Sequence, residues 1–313
     1  MGKLALVTKV GVADQGLTFP DGAYQASANV SLLHLMDKND ISVNAFLTAL
    51  KKLRLEPTER MMDLLVIASS MYSADTRISR SEFAEDSWTR MIDLYIPVSE
   101  PDFWNGQTNL LQKIFKFLTG DIWNVKFRSR SNTDKNLSPR GRLRKYGMPY
   151  ATHTVCLFSG GMDSFIGAVD LLESGIRPLL VGHAKSVDVS SYQQICEKAL
   201  GLEYGDQTPE RIYAFIRTPK EDLFGTGENT ERGRSFLFLS LGAICAASLS
   251  PSSKLVVPEN GMISLNIPLT PLRVGSHSTR TTHPYYFKLM QTLFDNMDSG
   301  VTITNPYQFK TKG

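Results

Sequence analysis

The chain has 313 residues, of which 42% are hydrophobic, and a net charge of +3. This length is typical of about two domains, and so small a charge does not by itself indicate a nucleic-acid-binding protein. No apolar run approaches the roughly 20 residues of a membrane span, and no signal-like segment is found at the start. Cys156, Cys196 and Cys245 lie apart among apolar neighbours. We therefore expect a cytoplasmic protein without a membrane segment or disulfides.

Residues 1–125 mix strand and helix patterns, which predicts an N-terminal α+β domain. Apolar and β-branched runs predict strands at Leu4 to Val10, Leu64 to Ala68 and Met91 to Val98. An amphipathic helix is expected over Asn109 to Leu118, ending near Gly120.

Residues 126–150 form a basic segment. Asp134 is the one acid among its cations, which are Lys126, Arg128, Arg130, Lys135, Arg140, Arg142, Arg144 and Lys145. Because the segment has few apolar residues, we expect a solvated linker that leads to a nucleotide-binding domain over residues 151–313. The alternative is a clamp for a polyanion, either tRNA or the phosphates of ATP.

The most informative motif is Ser159-Gly160-Gly161-Met162-Asp163-Ser164. It follows a strand-like run, Thr154 to Phe158, and precedes a helix-like run from Phe165 to near Gly175. The first N–H groups and the dipole of a helix favour an anion at its start. Two adjacent glycines allow close approach of the backbone and positive φ. The sequence therefore predicts a phosphate-binding turn.

The polar side chains of this turn support the prediction. Ser159 and Ser164 add hydroxyl donors. An acid beside a phosphate is repulsive unless a cation lies between them, so Asp163 is interpreted as a magnesium ligand. The alternative is a tight strand-to-helix turn that Ser164 caps.

After the loop, strand and helix patterns alternate as in a doubly wound parallel sheet. We expect strands at Pro178 to Gly182, Arg211 to Arg217 and Lys254 to Pro258, and helices at Tyr192 to Leu200 and Arg234 to Leu249. Ligands of such sheets bind at the carboxyl ends of the strands. His183 follows one of these strands and is either a nucleotide contact or a loop histidine.

Two pairs of polar residues lie at the ends of these elements. Arg232 and Arg234 precede a long apolar helix, where a cation needs an anionic partner, and a nucleotide phosphate would supply one. Glu259 and Asn260 follow a strand and offer an acid and an amide to a purine-like edge. The alternative for the second pair is a turn that Gly261 closes.

The segment from Arg273 to Pro284 is rich in hydrogen-bond donors and poor in apolar residues. It includes Arg280 and His283. This composition favours the binding of a phosphate or a carboxylate over core packing.

The six-residue motif resembles the S-G-G-x-D-S signature of the PP-loop ATP pyrophosphatases, which cleave ATP between the α- and β-phosphates. The later segments resemble those of the 7-cyano-7-deazaguanine synthases, with Ser235 in place of an asparagine. Among these QueC-like proteins, the chain is most similar to the QatC-type members of the Qat anti-phage defence system. The resemblance runs from about Val155 to the end of the chain.

The resemblance implies ATP-dependent adenylation of a carboxylate on a 7-deazaguanine, followed by attack of ammonia or of an amine on a defence-operon partner protein. The residues that it implies are Asp163, Arg234, Lys310 and Lys312 for catalysis, Ser159 to Ser164, His183, Arg232 and Arg280 for ATP, Asp163 for Mg²⁺, and Glu259, Asn260 and His283 for the deazapurine.

The chain departs from this family at two points. The parent enzymes carry a four-cysteine zinc site, whereas no cysteine follows Cys245 here, so zinc is not expected. The end of the chain resembles a Lys-Thr-Lys-x-Glu segment that continues in relatives, which predicts a truncated C-terminus. Alternative functions are a nucleotide-binding scaffold or sensor without turnover, and a tRNA-modifying PP-loop enzyme. Thiolation of tRNA would need a paired catalytic cysteine, so nucleic acid is not favoured.

Overall fold

The computed structural model describes residues 2–33, 40–84, 86, 88–139, 150–183, 187–218, 224, 227–228, 230–261 and 280–310. The chain divides into two compact units. Unit 1 comprises Met1–Val43, Glu59–Ser138 and Arg217–Leu237, and unit 2 comprises Asn44–Thr58, Pro139–Ile216 and Phe238–Gly313. The two units therefore alternate along the chain, whereas the sequence predicts successive domains.

Unit 1 contains a four-stranded parallel sheet in the order β2-β1-β3-β4. Its strands are β1 (Lys3–Val10), β2 (Ala26–Leu32), β3 (Met91–Val98) and β4 (Ile122–Ser129). Its helices are α2 (Glu59–Arg77), α3 (Arg80–Phe83) and α4 (Pro101–Thr119). The predictions of β1, of β3 and of a helix ending near Gly120 are confirmed, and Gly120 closes α4 at φ 80°.

The predicted strand from Leu64 to Ala68 is wrong, because these residues lie in the middle of α2. All residues from Met61 to Thr76 are buried, so this part of the helix has no exposed face. Without an exposed face, its apolar residues do not show the clear 3.6-residue period that distinguishes a helix from a strand. Since every strand pair of unit 1 is parallel, this part is α/β and not the predicted α+β arrangement.

Helices α2 and α4 cover the same face of this sheet. The Thr8 hydroxyl of β1 donates to Ser70 of α2 at 2.7 Å. The Trp123 ring of β4 lies 5.5 Å from that of Phe115 in α4. On the opposite face, Phe19 packs against Tyr95 with ring centroids 5.2 Å apart.

The start of the predicted basic linker belongs to the sheet. Lys126 and Arg128 lie in β4, and Arg130 follows it directly. Each of the three cations pairs with a carboxylate of unit 1: Lys126 with Asp93 at 3.0 Å, Arg128 with Asp14 at 2.7 Å, and Arg130 with Asp63 and Glu59. Paired charges can pack against a sheet where unpaired charges cannot, which is why composition misled the prediction here. Residues 140–149 lie outside the described part of the chain.

Two arginines and two aspartates form a buried cluster in unit 1. Arg90 donates to Asp121 at 2.6 Å and to Asp75 at 3.0 Å. Arg80 also donates to Asp121, at 2.7 Å. Burial raises the pKa of Asp121, but the charge and hydrogen bonds of Arg90, followed by the charge of Arg80, outweigh burial and lower it. Asp121 is therefore held as a carboxylate between two guanidinium groups.

Unit 2 contains a five-stranded parallel sheet in the order β7-β6-β5-β8-β9. Its strands are β5 (Thr154–Leu157), β6 (Leu179–His183), β7 (Arg211–Ala214), β8 (Ser253–Val256) and β9 (Val301–Thr304). The helices are α1 (Asn44–Lys52), α5 (Met162–Glu173), α6 (Val187–Tyr204), α7 (Arg234–Leu249), whose first four residues belong to unit 1, and α8 (Pro284–Asn296). Within the described ranges, no helix has both the length and the apolar character needed to cross a membrane.

The predicted elements from β5 to β8 are confirmed, although β5, β7 and β8 each end before the expected residue. β7 ends at Ala214, and the main chain of Arg217 instead pairs with Ser42 in unit 1. The predicted bounds of α7 agree with the structure at both ends.

Helices pack on both faces of the sheet in unit 2. Cys156, Leu180 and Val256 share one face and form a core cluster with residues of α5 and α6, such as Ala168 and Leu200. On the opposite face, a Cβ at Gly242 of α7 would lie 2.7 Å from the Leu157 side chain of β5 and 2.6 Å from the Leu255 side chain of β8. The doubly wound parallel α/β fold is therefore confirmed.

The buried cluster generates a stability prediction. We expect Asp121→Asn to lower the free energy of unfolding by about 3–5 kcal/mol, because it leaves Arg80 and Arg90 with too little compensating charge. Asp21→Asn is the matched control, since Asp21 is an exposed aspartate of the same unit. Denaturant unfolding measures both variants, and equal effects would contradict the assigned role of the cluster.

The pH dependence follows from the lowered pKa of Asp121. Its folded pKa lies below the unfolded value of about 3.9. Its stabilising contribution is therefore present above that value and is lost as pH falls through the folded pKa. We expect the unfolding free energy of Asp121→Asn to depend less on pH between about pH 2 and 5 than that of the wild type. An unchanged slope would contradict this assignment.

Candidate functional site

The strand order of unit 2 reverses beside β5. The chain runs outward from β5 to β6 and β7 and then crosses to β8, on the other side of β5. Such a switch point leaves a crevice outside the carboxyl ends of the two strands, where ligands of α/β sheets bind. The segments that enter this crevice follow β5 and β8, and we call them the loop, Ser159–Ser164, and the β8 segment, Val257–Gly261.

The loop is a strand-to-helix turn, as the sequence predicts. Gly160 has φ 81°, whereas Gly161 has φ −83°, so only one of the two glycines adopts the expected positive φ. The Gly161 N–H donates to the Ser159 hydroxyl at 3.3 Å, and the Ser164 hydroxyl donates to the Gly161 carbonyl at 2.9 Å. The two serine oxygens lie 3.2 Å apart. Both hydroxyls therefore belong to one compact turn.

Helix α5 begins within the loop and directs its N-terminus towards it. The residue that caps the helix is Gly161, with no side-chain hydrogen bond, so Ser164 is not the cap. The Phe165 N–H donates to the Gly161 carbonyl at 3.0 Å. N–H groups that precede the first such bond emerge at the helix end, where the dipole adds positive potential. The arrangement suits an anion such as a phosphate.

Helix α6 contacts the loop through Gln193. The buried Gln193 amide donates to the carbonyls of Phe158 and Ser159 at 3.2 and 3.3 Å. A Cβ at Gly160 would lie 2.9 Å from the Gln193 backbone nitrogen, which explains why a glycine is needed there. Sequence reasoning missed Gln193, because no local motif indicates that a glutamine in the next helix contacts the loop.

Asp163 lies in the first turn of α5 and contacts the β8 segment. Its Oδ2 accepts from the Asn260 side chain at 2.8 Å and from the Asn260 backbone N–H at 3.3 Å. Asn260, predicted to contact a purine, is buried and directs its amide to Asp163. The structure thus joins the loop to the β8 segment through this pair.

The Asp163 carboxylate is an oxygen ligand of the kind that magnesium prefers. No group of three or more His, Cys, Asp or Glu side chains suited to a metal is found among the described residues. A magnesium ion at Asp163 would therefore need further ligands from a bound phosphate and from water.

Glu259 and Lys310 lie beside the same crevice. The Glu259 backbone bonds in both directions to the Asn305 side chain, at 3.4 and 2.8 Å. The Lys310 carbonyl accepts from the Gly261 N–H at 2.8 Å. The Lys310 ammonium lies 5.3 Å from the centre of the Tyr307 ring. Lys312 lies outside the described residues.

His183 is the last residue of β6 and is 1% exposed. It therefore lies within the strand, whereas the sequence predicts a position just beyond it. The strand therefore extends one residue further than the sequence predicts, and the imidazole of this last residue is buried.

His283 begins α8. Its Nδ1 accepts from the Tyr285 N–H at 3.1 Å, so it caps the helix. Burial and the charge of Arg280 lower the pKa of His283, which favours the neutral ring that a cap requires. Residues 273–279 of the predicted donor-rich segment lie outside the described part.

Arg232 and Arg234 belong to unit 1, whereas the loop belongs to unit 2. The Arg232 guanidinium donates to the Thr119 carbonyl at 2.9 Å and lies 4.2 Å from the centre of the Trp88 ring. Arg234 is the first residue of α7, and its N–H donates to the Glu231 carbonyl at 3.2 Å. The Arg232 guanidinium thus contacts the Thr119 carbonyl and the Trp88 indole within unit 1.

Comparison with protein-family models, with curated proteins and with solved structures finds no match to this chain. The fold and the site therefore rest on the geometry described above. They define a two-unit parallel α/β protein with a glycine turn and a helix N-terminus at the switch point of unit 2.

The contact between Gln193 and the loop generates a further stability prediction. We expect Gly160→Ala to destabilise the protein by more than the roughly 1–2 kcal/mol that positive φ costs an alanine, because its Cβ would also press on Gln193. Gly175→Ala is the matched control, with φ 75° and no atom within 4 Å of its Cβ position. Denaturant unfolding of both variants isolates the steric contribution. Equal losses would show that Gln193 does not press on the loop.

Proposed function

We propose that this chain is a PP-loop ATP pyrophosphatase that adenylates a carboxylate. One observation carries the proposal: Ser159–Ser164 joins a central parallel strand to a helix N-terminus at the switch point, with an aspartate in the first helical turn. A glycine turn of this kind places amide and hydroxyl donors around a phosphate. The aspartate supplies an oxygen for the magnesium that accompanies ATP.

The proposed reaction has two steps. A carboxylate oxygen of the substrate attacks the α-phosphorus of ATP, the bond from that phosphorus to the bridging oxygen breaks, and pyrophosphate leaves into the loop. An amine then attacks the acyl carbon of the mixed anhydride, loses a proton and displaces AMP. The α5 N-terminus and the Ser159 hydroxyl stabilise the charge that develops on the leaving pyrophosphate. Bound magnesium would neutralise phosphate charge at Asp163.

The substrate that we propose is a 7-carboxy-7-deazaguanine, with ammonia or an amine of a partner protein as the acceptor. This choice rests on the resemblance to the QueC-like proteins of anti-phage defence. Glu259 and Lys310 are the acid and the cation proposed to act on this substrate; their backbones bond to Asn305 and to Gly261. On the same resemblance, we propose that His183, Arg280 and His283 contact the ligand.

A second candidate function is a nucleotide-binding scaffold or sensor without turnover. The contacts of Arg232 favour it, because an arginine proposed to contact ATP is engaged by Thr119 and Trp88 within unit 1. A tRNA-modifying enzyme is less well supported. Lys126, Arg128 and Arg130, which would begin a polyanion clamp, are paired with carboxylates.

The test is release of pyrophosphate from magnesium and ATP, with and without 7-carboxy-7-deazaguanine. We expect release that depends on the deazapurine and falls by at least about 100-fold in Asp163→Ala, because charge stabilisation at the phosphates is lost. Asp206→Ala is the matched control, an exposed aspartate of unit 2. Binding of ATP without release would favour the scaffold or sensor. Absence of ATP binding by the wild type would overturn both functions.

A further inference from the structure

One face of α5 contacts the β8 segment and the chain after β9 over two turns. Asp163, Gly167 and Asp170 lie at positions i, i+4 and i+7, which share a helix face. Asp163 contacts Asn260, as described above. Asp170 accepts a hydrogen bond of 2.5 Å from the Tyr307 hydroxyl. The face therefore aligns two chain segments that are distant in sequence.

Gly167 sets the distance between α5 and the β8 segment. A Cβ at this position would lie 2.5 Å from Cβ of Pro258 and 2.7 Å from its Cγ. Such distances are too short for side-chain packing, so any larger residue must displace the proline or the helix. Because Asn260 is only two residues beyond Pro258, the close approach at Gly167 places the Asn260 amide within reach of Asp163.

The chain after β9 holds the β8 segment from its other side. We call residues 305–310 the C-terminal turn. Asn305 bonds to both the N–H and the carbonyl of Glu259, and the Lys310 carbonyl accepts from Gly261. Burial and the hydrogen bond to Asp170 raise the pKa of Tyr307, so its hydroxyl stays protonated and continues to donate.

We propose that Asn260 is a positioning residue for Asp163, and that the C-terminal turn holds Asn260 in place. This inference rests on the proposed function, in which Asp163 binds the magnesium of ATP. Two N–H donors on one carboxylate oxygen fix the orientation of the carboxyl group. Outer groups that orient a metal ligand in this way typically contribute 10–100-fold to metal affinity or activity. Asn260 thus acts through Asp163, and not on the purine.

The test is a double-mutant cycle on magnesium-dependent ATP binding, measured by calorimetric titration of ATP at a series of magnesium concentrations. We expect Asn260→Ala to raise the magnesium concentration for half-maximal binding by about 10-fold or more. In the Asp163→Ala background, the same substitution should cause no further shift. Asn124→Ala, at an exposed asparagine of β4 in unit 1, is the matched control and should leave binding unchanged.

Two further variants complete the test. The first leaves both Asp163 and Asn260 in place, and the second replaces Asn260 with a residue of similar shape. Gly167→Ala should shift the magnesium dependence in the same direction, because it moves Pro258. If Asn260→Ala does not fold, Asn260→Leu replaces it, because leucine is close to asparagine in shape but donates no side-chain hydrogen bond, and it should shift the magnesium dependence in the same direction. Thermal unfolding without nucleotide shows which variants are folded.

The outcomes separate the inference from the proposed function. If the wild type binds no ATP at any magnesium concentration, the proposed function fails and the inference fails with it. If the wild type binds and Asp163→Ala weakens binding, but Asn260→Ala leaves the magnesium dependence unchanged, only the inference is overturned. An effect of Asn260→Ala confined to the KM for the deazapurine would also overturn it, since that result identifies a substrate contact.

Discussion

The hydrogen bonds from Asn260 to Asp163 connect the two strand ends on which the site of unit 2 depends. Neighbouring strands at a switch point of a parallel sheet are far apart in sequence, and their pairing brings their carboxyl ends side by side. Here the loop after β5 supplies the glycine turn and the start of α5, and the segment after β8 supplies the amide. A shift of either segment would separate the carboxylate from its donors.

Both units manage buried polar groups by pairing them. In unit 1, Arg80 and Arg90 surround Asp121, and strand β4 carries cations that reach carboxylates on other elements. In unit 2, Gln193 satisfies the loop carbonyls that a tight turn leaves without ladder partners. These buried carboxylates and guanidinium groups, and the –NH2 of Gln193, are tolerated because they meet partners of complementary chemistry. These contacts constrain the backbone and limit where a ligand can bind.

The proposed chemistry requires little from the protein besides placement. A carboxylate and ATP react when the α-phosphorus is accessible and the charge on pyrophosphate is stabilised, so no protein nucleophile is needed. In the proposed function, the loop, the α5 N-terminus and Asp163 would provide such an environment within unit 2. Of the basic residues predicted for the same task, Arg232 belongs to unit 1, where its guanidinium contacts Thr119 and Trp88.

The sequence by itself determined the elements whose signals are local. The strand, glycine turn and helix around Ser159–Ser164 and the bounds of α7 follow from short-range periodicity and from glycine. Only the tertiary structure decided that Leu64 to Ala68 is helical, because a helix buried on all sides has no period to read. It also decided that Gln193 and Asn260 contact the loop. Those contacts join residues about 30 and 100 positions apart, and sequence patterns describe a residue's neighbours along the chain and not its partners across a sheet.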